Sequence, residues 1–256
     1  MPIFGELWKV FYNVLHCVKI TFFMKDLFGK ALIDYQNGDY EEDIITSTSI
    51  SEEDVLPLPY LFRDYKEMPK IEQKALKLCK GSVLDVGCGA GGHSLYLQQK
   101  ELQVKAIDIS KGAIQVTKNR GVLNAEVLNL LDETETFDTI LLLMNGTGIF
   151  QELANVSTYL SHLKTILKVG GQILIDSSDI NYMYEDEDGG FWMDTNSDYY
   201  GELDYFLSYK GEKETPMKWL YLDFETLKMA CETIGLTCEL VCEGEHFDYL
   251  ARLFEI

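Results

Sequence analysis

From Ser82 onward, short apolar runs alternate with segments whose apolar residues recur at helical spacing. Ser82–Gly87 (SVLDVG) reads as a buried strand and 91–100 as a helix. Val104–Ile109 is a second strand, followed by a helix from Lys111 to about Arg120. Ala125–Leu130 and Phe137–Met144 are a third and a fourth strand. A long helix is expected over 151–167, and Gly170-Gly171 turn into a fifth strand, Gln172–Ser177. Strands alternating with helices in this way form right-handed crossovers, so the expected fold is α/β, a doubly wound and mostly parallel sheet. One more helix (223–234) precedes the runs 236–243 and 247–254. Only Gly244-Glu245-His246 separate those runs, too few for a crossover, so they must be antiparallel.

The flanks follow other patterns. Residues 25–80 read as a helical lead-in or cap, broken by an acidic, Ser/Thr-rich stretch at 39–54 and by Pro57, Pro59 and Pro69. Residues 1–24 are rich in apolar side chains, but Lys9, Asn13, His16 and Lys19 interrupt every run long enough to span a bilayer. Their expected status is an extension upstream of a second start at Met24, outside the mature protein. The alternative is an amphipathic surface helix. Residues 81–256 make the main domain, with 179–221 inserted after the fifth strand.

The net charge of −20 disfavours non-specific nucleic-acid binding, which needs clustered basic side chains. Residues 39–54 contribute −7 and residues 179–216 contribute −9, so the acidity sits in the lead-in and the insert. Six cysteines without metal-ligand spacing read as buried thiols of a reducing compartment, and the expected location is cytoplasmic. No metal site and no nucleic-acid partner are expected.

The residues with the most chemical content are Val83–Gly92, VLDVGCGAGG, which join the first strand to the first helix. Ligands of doubly wound sheets sit at the carboxyl ends of strands, and glycines there let a ligand approach backbone. Gly87, Gly89 and Gly92 also satisfy GxGxxG, and Asp108 lies 21 residues beyond Gly87, which keeps an NAD(P)-dependent oxidoreductase as a competing reading. Asp85 argues against it. A carboxylate two residues before the first glycine would oppose a pyrophosphate and favour a cationic ligand.

VLDVGCGAGG resembles the first motif of the class I S-adenosylmethionine-dependent methyltransferases. FDTILLLMN resembles their fourth-strand motif, LKVGGQILI their fifth-strand motif, and the closing antiparallel pair matches their reversed last strand. The resemblance covers 82–178 by motif and 223–255 by layout. It implies a Rossmann-like sheet of seven strands with the last antiparallel, and S-adenosyl-L-methionine as cofactor. It further implies that Asp85, Gly87, Cys88 and Gly89 line the methionine end and that Asp108 takes the ribose hydroxyls. Ile109 would flank the adenine, with Asn129 or Leu130 at its edge, and Met144 and Asn145 would face the transferable methyl.

Methyl transfer from a sulfonium is a single displacement that requires positioning and a dry site, so no catalytic residue is nominated. Met144-Asn145-Gly146-Thr147 stands where exocyclic-amine methyltransferases carry a Pro-Pro-aromatic motif, which disfavours a nucleobase amine; a small-molecule acceptor is the expected substrate, with a protein side chain as the alternative. The insert 179–221 holds eleven aromatic residues, and is expected to act as a substrate lid with Tyr182, Trp192 and Tyr199 on the acceptor. A self-packed subdomain or a homodimer contact is the alternative. The acidic flanks suggest a cationic acceptor. A protein that binds S-adenosylmethionine without catalysis remains a competing function, and His93 reads as a packed or solvated side chain.

Overall fold

A computed structural model describes residues 25–184 and 199–255. The expected readings for 1–24 and for Trp192 lie outside the described residues. The lead-in begins with helix α1 (Leu27–Asn37), hairpin strands β1 (Ile44–Thr48) and β2 (Ser51–Leu56), the single turn α2 (Leu58–Leu61) and helix α3 (Lys70–Leu78). The main domain then runs β3 (Ser82–Val86), α4 (Gly92–Gln99), β4 (Gln103–Asp108), α5 (Lys111–Asn119), β5 (Ala125–Val127), β6 (Phe137–Leu142), α6 (Val156–Thr165) and β7 (Leu167–Ser178). Strands β8 (Glu202–Tyr209), β9 (Glu212–Lys213) and β10 (Met217–Leu220) follow, then helix α7 (Phe224–Thr233) and the pair β11 (Thr237–Glu243) and β12 (Asp248–Phe254).

The larger sheet has seven strands in the order β11-β12-β7-β6-β3-β4-β5. β3 pairs in parallel with β4 on one side and β6 on the other. That reversal of strand order opens a crevice at the carboxyl end of β3, where the two crossovers diverge. β12 pairs antiparallel with both β7 and β11, and the four-residue connection 244–247 accounts for the second of these pairings. One face of the sheet is packed by α6 and α7 around Ile140, Leu160, Ile173 and Leu227. The other face carries Ala75, Leu97, Leu141 and Leu174. The central strands are buried on both faces, which is why they read as unbroken apolar runs.

The hairpin at 44–56 departs from the helical reading of the lead-in, and β8 to β10 occupy part of the expected irregular insert. Together they form a second, antiparallel sheet in the order β10-β8-β1-β2, with β9 added to β8. Ile45 pairs with Ser208 and Thr48 with Tyr205, so segments more than 150 residues apart make one structure. Its core joins Leu27, Leu32, Ile44, Leu207 and Tyr209 to Ala90 of the glycine turn and Ala113 and Val116 of α5. Lead-in and insert are therefore packed onto the cofactor-side helix as one layer. Among the described residues, no helix is long and apolar enough to cross a membrane.

Candidate functional site

The turn after β3 is built from backbone. Gly87, Gly89 and Gly91 have φ of 70°, 53° and 78°, a region that side-chain-bearing residues adopt at a cost. The amides of Gly87 and Cys88 both donate to the Ile107 carbonyl, at 2.9 and 3.1 Å, which pins the turn to β4. Cys88 buries its side chain against α5, and burial raises its thiol above the ordinary range; only its backbone belongs to the turn surface. Phe28 of α1 lies over Gly89, 3.8 Å from where a Cβ would stand.

Asp108 ends β4 at the rim of this turn. Its carboxylate accepts from the amides of Gly89 (3.0 Å) and Ser110 (2.8 Å). Burial pushes it up to about 6; the two amides lower it, while Asp26 and Asp85 add repulsion. Three apolar side chains that follow β4, β5 and β6 are open to solvent: Ile109, 57% exposed, Leu131 and Met144. Asn129 caps the turn after β5 by accepting from the Leu131 amide at 2.9 Å, and Leu130 points into the main core. At that edge Leu131, not Leu130, presents an apolar side chain outward.

Asp85 lies beneath the turn rather than on it. It is 2% exposed, and Ser94 donates to it at 2.5 Å. Its pKa is raised by burial, against the charge of His93 and the bond from Ser94. His93 donates to Glu72 at 2.8 Å, and Glu72 also receives the Arg63 guanidinium at 2.5 Å. Burial would neutralise this imidazole, but Glu72 and Asp85 hold it above the ordinary histidine range. The Arg63–Glu72–His93 chain was not legible in the sequence, because its members come from three separate elements.

Met144 and Asn145 follow β6 with φ of 67° and 60°, two successive left-handed residues without glycine. Asp176, near the end of β7, stabilises that backbone by accepting from the amides of Met144 (3.0 Å) and Gly146 (2.9 Å). It is 7% exposed, and burial pushes it up to about 7. Asn145 donates to the Leu220 carbonyl at 3.2 Å and accepts from Ser177 at 3.1 Å. The side chain of Asn145 thus ties the turn to β10, while Met144 remains exposed. An acid closing a buried strand, as in QILIDS, was the available clue to Asp176.

Tyr182 is 45% exposed and stacks on Phe247, with ring centroids 4.6 Å apart. Tyr199 instead donates to Asp223 at 2.7 Å, and Asp223 caps α7 through the Thr226 amide. The two tyrosines are not brought into one surface. The residues around β3 and β4 suit an adenosyl cofactor. They offer a side-chain-free turn, a rim carboxylate for hydroxyl groups and exposed apolar side chains on either side. Among the described residues no group of His, Cys, Asp or Glu could hold a metal ion.

A family profile described as a methyltransferase domain matches residues 83–171. An S-adenosylmethionine-dependent methyltransferase from Bacteroides fragilis, solved with S-adenosyl-L-homocysteine, is 43% identical. That alignment covers 91% of this chain and 96% of the other, with a TM-score of 0.85. A probable (S)-tetrahydroprotoberberine N-methyltransferase from Papaver bracteatum is 27% identical over 65% of this chain; the match spans only 44% of that relative's length. The sugar N-methyltransferase KedS8 from Streptoalloteichus shares the fold, with a TM-score of 0.54 at 16% identity, covering 82% of this chain and 97% of that one.

Proposed function

The chain belongs to the S-adenosylmethionine-dependent methyltransferases, and on that premise we propose that its methyl acceptor is a small molecule bound at the carboxyl edge of β6 and β7. S-adenosyl-L-methionine supplies an electrophilic methyl on a sulfonium. The residues of this chain position and enclose. Gly87 and Gly89 offer backbone to the methionine end, with Cys88 contributing its amide region only. Asp108 receives the ribose hydroxyls, and Ile109 and Leu131 pack on the adenine, with Asn129 holding that edge. Asp85 acts from below, through Ser94 and the helix start, rather than by contact. Met144 and Asn145 face the reacting methyl on a turn held by Asp176.

The observation that carries the acceptor reading is the second sheet. Its strand β10 is tied to the turn after β6 by the bond from Asn145 to the Leu220 carbonyl, and a layer held that close to the methyl-facing turn suits a small acceptor better than a polymer. The curated relative named for N-methylation of (S)-tetrahydroprotoberberine supports the same class. Exclusion of water by this layer would protect the displacement. Its acidic surface disfavours nucleic acid, and the free cysteines at 79, 88, 231, 238 and 242 suit a cytoplasmic setting. The test is to incubate the protein with methyl-labelled cofactor and a pool of small metabolites. Label recovered in a small product, dependent on Asp108, supports the reading; a protein that binds S-adenosylhomocysteine yet labels nothing would refute it and favour a non-catalytic binder.

A further inference from the structure

Between the two sheets lies a cavity of about 170 Å³ that the methyl-facing turn does not use. It is lined by the hairpin residues Thr48 and Ser51, by Ser178, Tyr182 and Leu203, and by Tyr221, with Ile180, Met183 and His246 completing the wall. Ser178 stands two residues beyond Asp176 on β7, hence on the same face of the sheet. Ser178 thus places the cavity at the carboxyl end of β7, the strand that also carries Asp176.

The chemistry of this wall is specific. Among the described residues it includes no Asp, Glu, Lys or Arg. Two acids close to it in sequence are engaged elsewhere: Asp179 accepts from Tyr200 at 2.8 Å and from the Asn181 amide at 2.9 Å, and Asp223 accepts from Tyr199 and Thr226. What remains are hydroxyls, an imidazole, apolar side chains and the flat pair Tyr182–Phe247, whose rings lie 20° from parallel. Burial pushes the Tyr221 phenol up to about 12, so it stays a protonated donor at neutral pH. Among the described residues the wall offers a charged acceptor no counter-charge, whereas a ring with hydroxyl or neutral amine groups finds stacking surface and hydrogen-bond partners.

We propose that this cavity is the acceptor pocket and that it selects an uncharged, ring-bearing molecule with hydroxyl or neutral amine substituents, not the cationic acceptor that the acidity of the flanks suggests. The inference rests on the small-molecule reading above. It is tested on the full chain with methyl-labelled S-adenosylmethionine and a metabolite extract separated beforehand into cationic, anionic and uncharged pools. Two fillings of the cavity, Leu203→Trp and Thr48→Tyr, are compared with the parent. S-adenosylhomocysteine affinity reports whether each variant is folded, and Thr48, at a half-buried hairpin tip, is the milder site.

The expected result is label in the uncharged pool, cut more than tenfold by either filling while S-adenosylhomocysteine affinity stays within twofold. Label confined to a charged pool overturns the proposed selectivity. Undiminished labelling by folded Thr48→Tyr overturns the assignment of the pocket. Absence of label from every pool, with S-adenosylhomocysteine still bound, overturns the small-molecule reading and this proposal with it.

Discussion

The cofactor side of the cleft occupies a continuous stretch from Val83 to Gly92 plus the end of the next strand, and its working surface is mostly backbone. The acceptor side is assembled from the 44–56 hairpin, the end of β7, β8, β10 and the β11–β12 turn, and its surface is side chains. The first is specified by local conformation, since positive φ and the absence of Cβ are properties of single residues. The second exists only when strands distant in sequence pair.

Four experiments press on that contrast, taken from the largest expected effect. Asp108→Ala removes the rim carboxylate, whose charge-assisted bonds to a diol are each worth about 1.5–3 kcal/mol. S-adenosylhomocysteine affinity measured by calorimetry should fall roughly a hundredfold, in keeping with about 3 kcal/mol. An unchanged affinity would remove Asp108 from the cofactor site.

Gly112→Val probes the joint between the halves. A Cβ at Gly112 would stand 2.5 Å from the backbone of Gly29, so α1 must leave α5. Denaturant unfolding should show a loss of about 1–3 kcal/mol from overpacking, and cofactor affinity should drop as Phe28 moves off Gly89. A variant of parental stability would mean that α1 is not seated as described.

The insert tyrosines should separate by role. Tyr199→Phe removes the hydroxyl that bonds Asp223 and should cost about 1 kcal/mol of stability. Tyr182→Ala, half exposed, should leave stability within about 0.5 kcal/mol and raise the acceptor KM instead. Equal stability losses in the two variants would contradict the distinction.

The last test is in pH. Asp176 is raised from 3.8 to about 7 in the folded chain, so the native state holds its proton where the unfolded state has released it. Its contribution to stability is present below about pH 4 and is lost as pH rises through about 7. Asp176→Asn cannot ionise. The stability gap between parent and variant should therefore narrow from pH 5 to pH 8, which thermal melts can follow; a gap independent of pH would show that Asp176 is not perturbed.

The seven strands of the main sheet were legible because each central strand is buried on both faces, so its apolar run is continuous and bounded by glycine or a helical period. The places of Gly87, Gly89 and Asp108 at the ends of β3 and β4 were legible too, because they follow from strand ends. Asp85 was placed on the right turn, but its side chain was read as facing the ligand when it is buried against Ser94. The hairpin at 44–56 was not visible: β2 is exposed along most of its length, and its charged residues hide the strand pattern. The Arg63–Glu72–His93 chain was equally hidden, since 63, 72 and 93 share no periodicity.

The sequence alone determined the fold class and the cofactor, because turn conformations and buried strands are written in consecutive residues. Tertiary structure decided that lead-in and insert share a sheet, which tyrosine is tied to Asp223 and which side chains line the cavity between the sheets. Those depend on pairing between segments far apart in the chain, and on which carboxylates spend their hydrogen bonds on neighbours rather than on a ligand. Net charge is a sum over residues. The charge that a ligand meets is set by the few side chains the fold leaves unpaired at the wall.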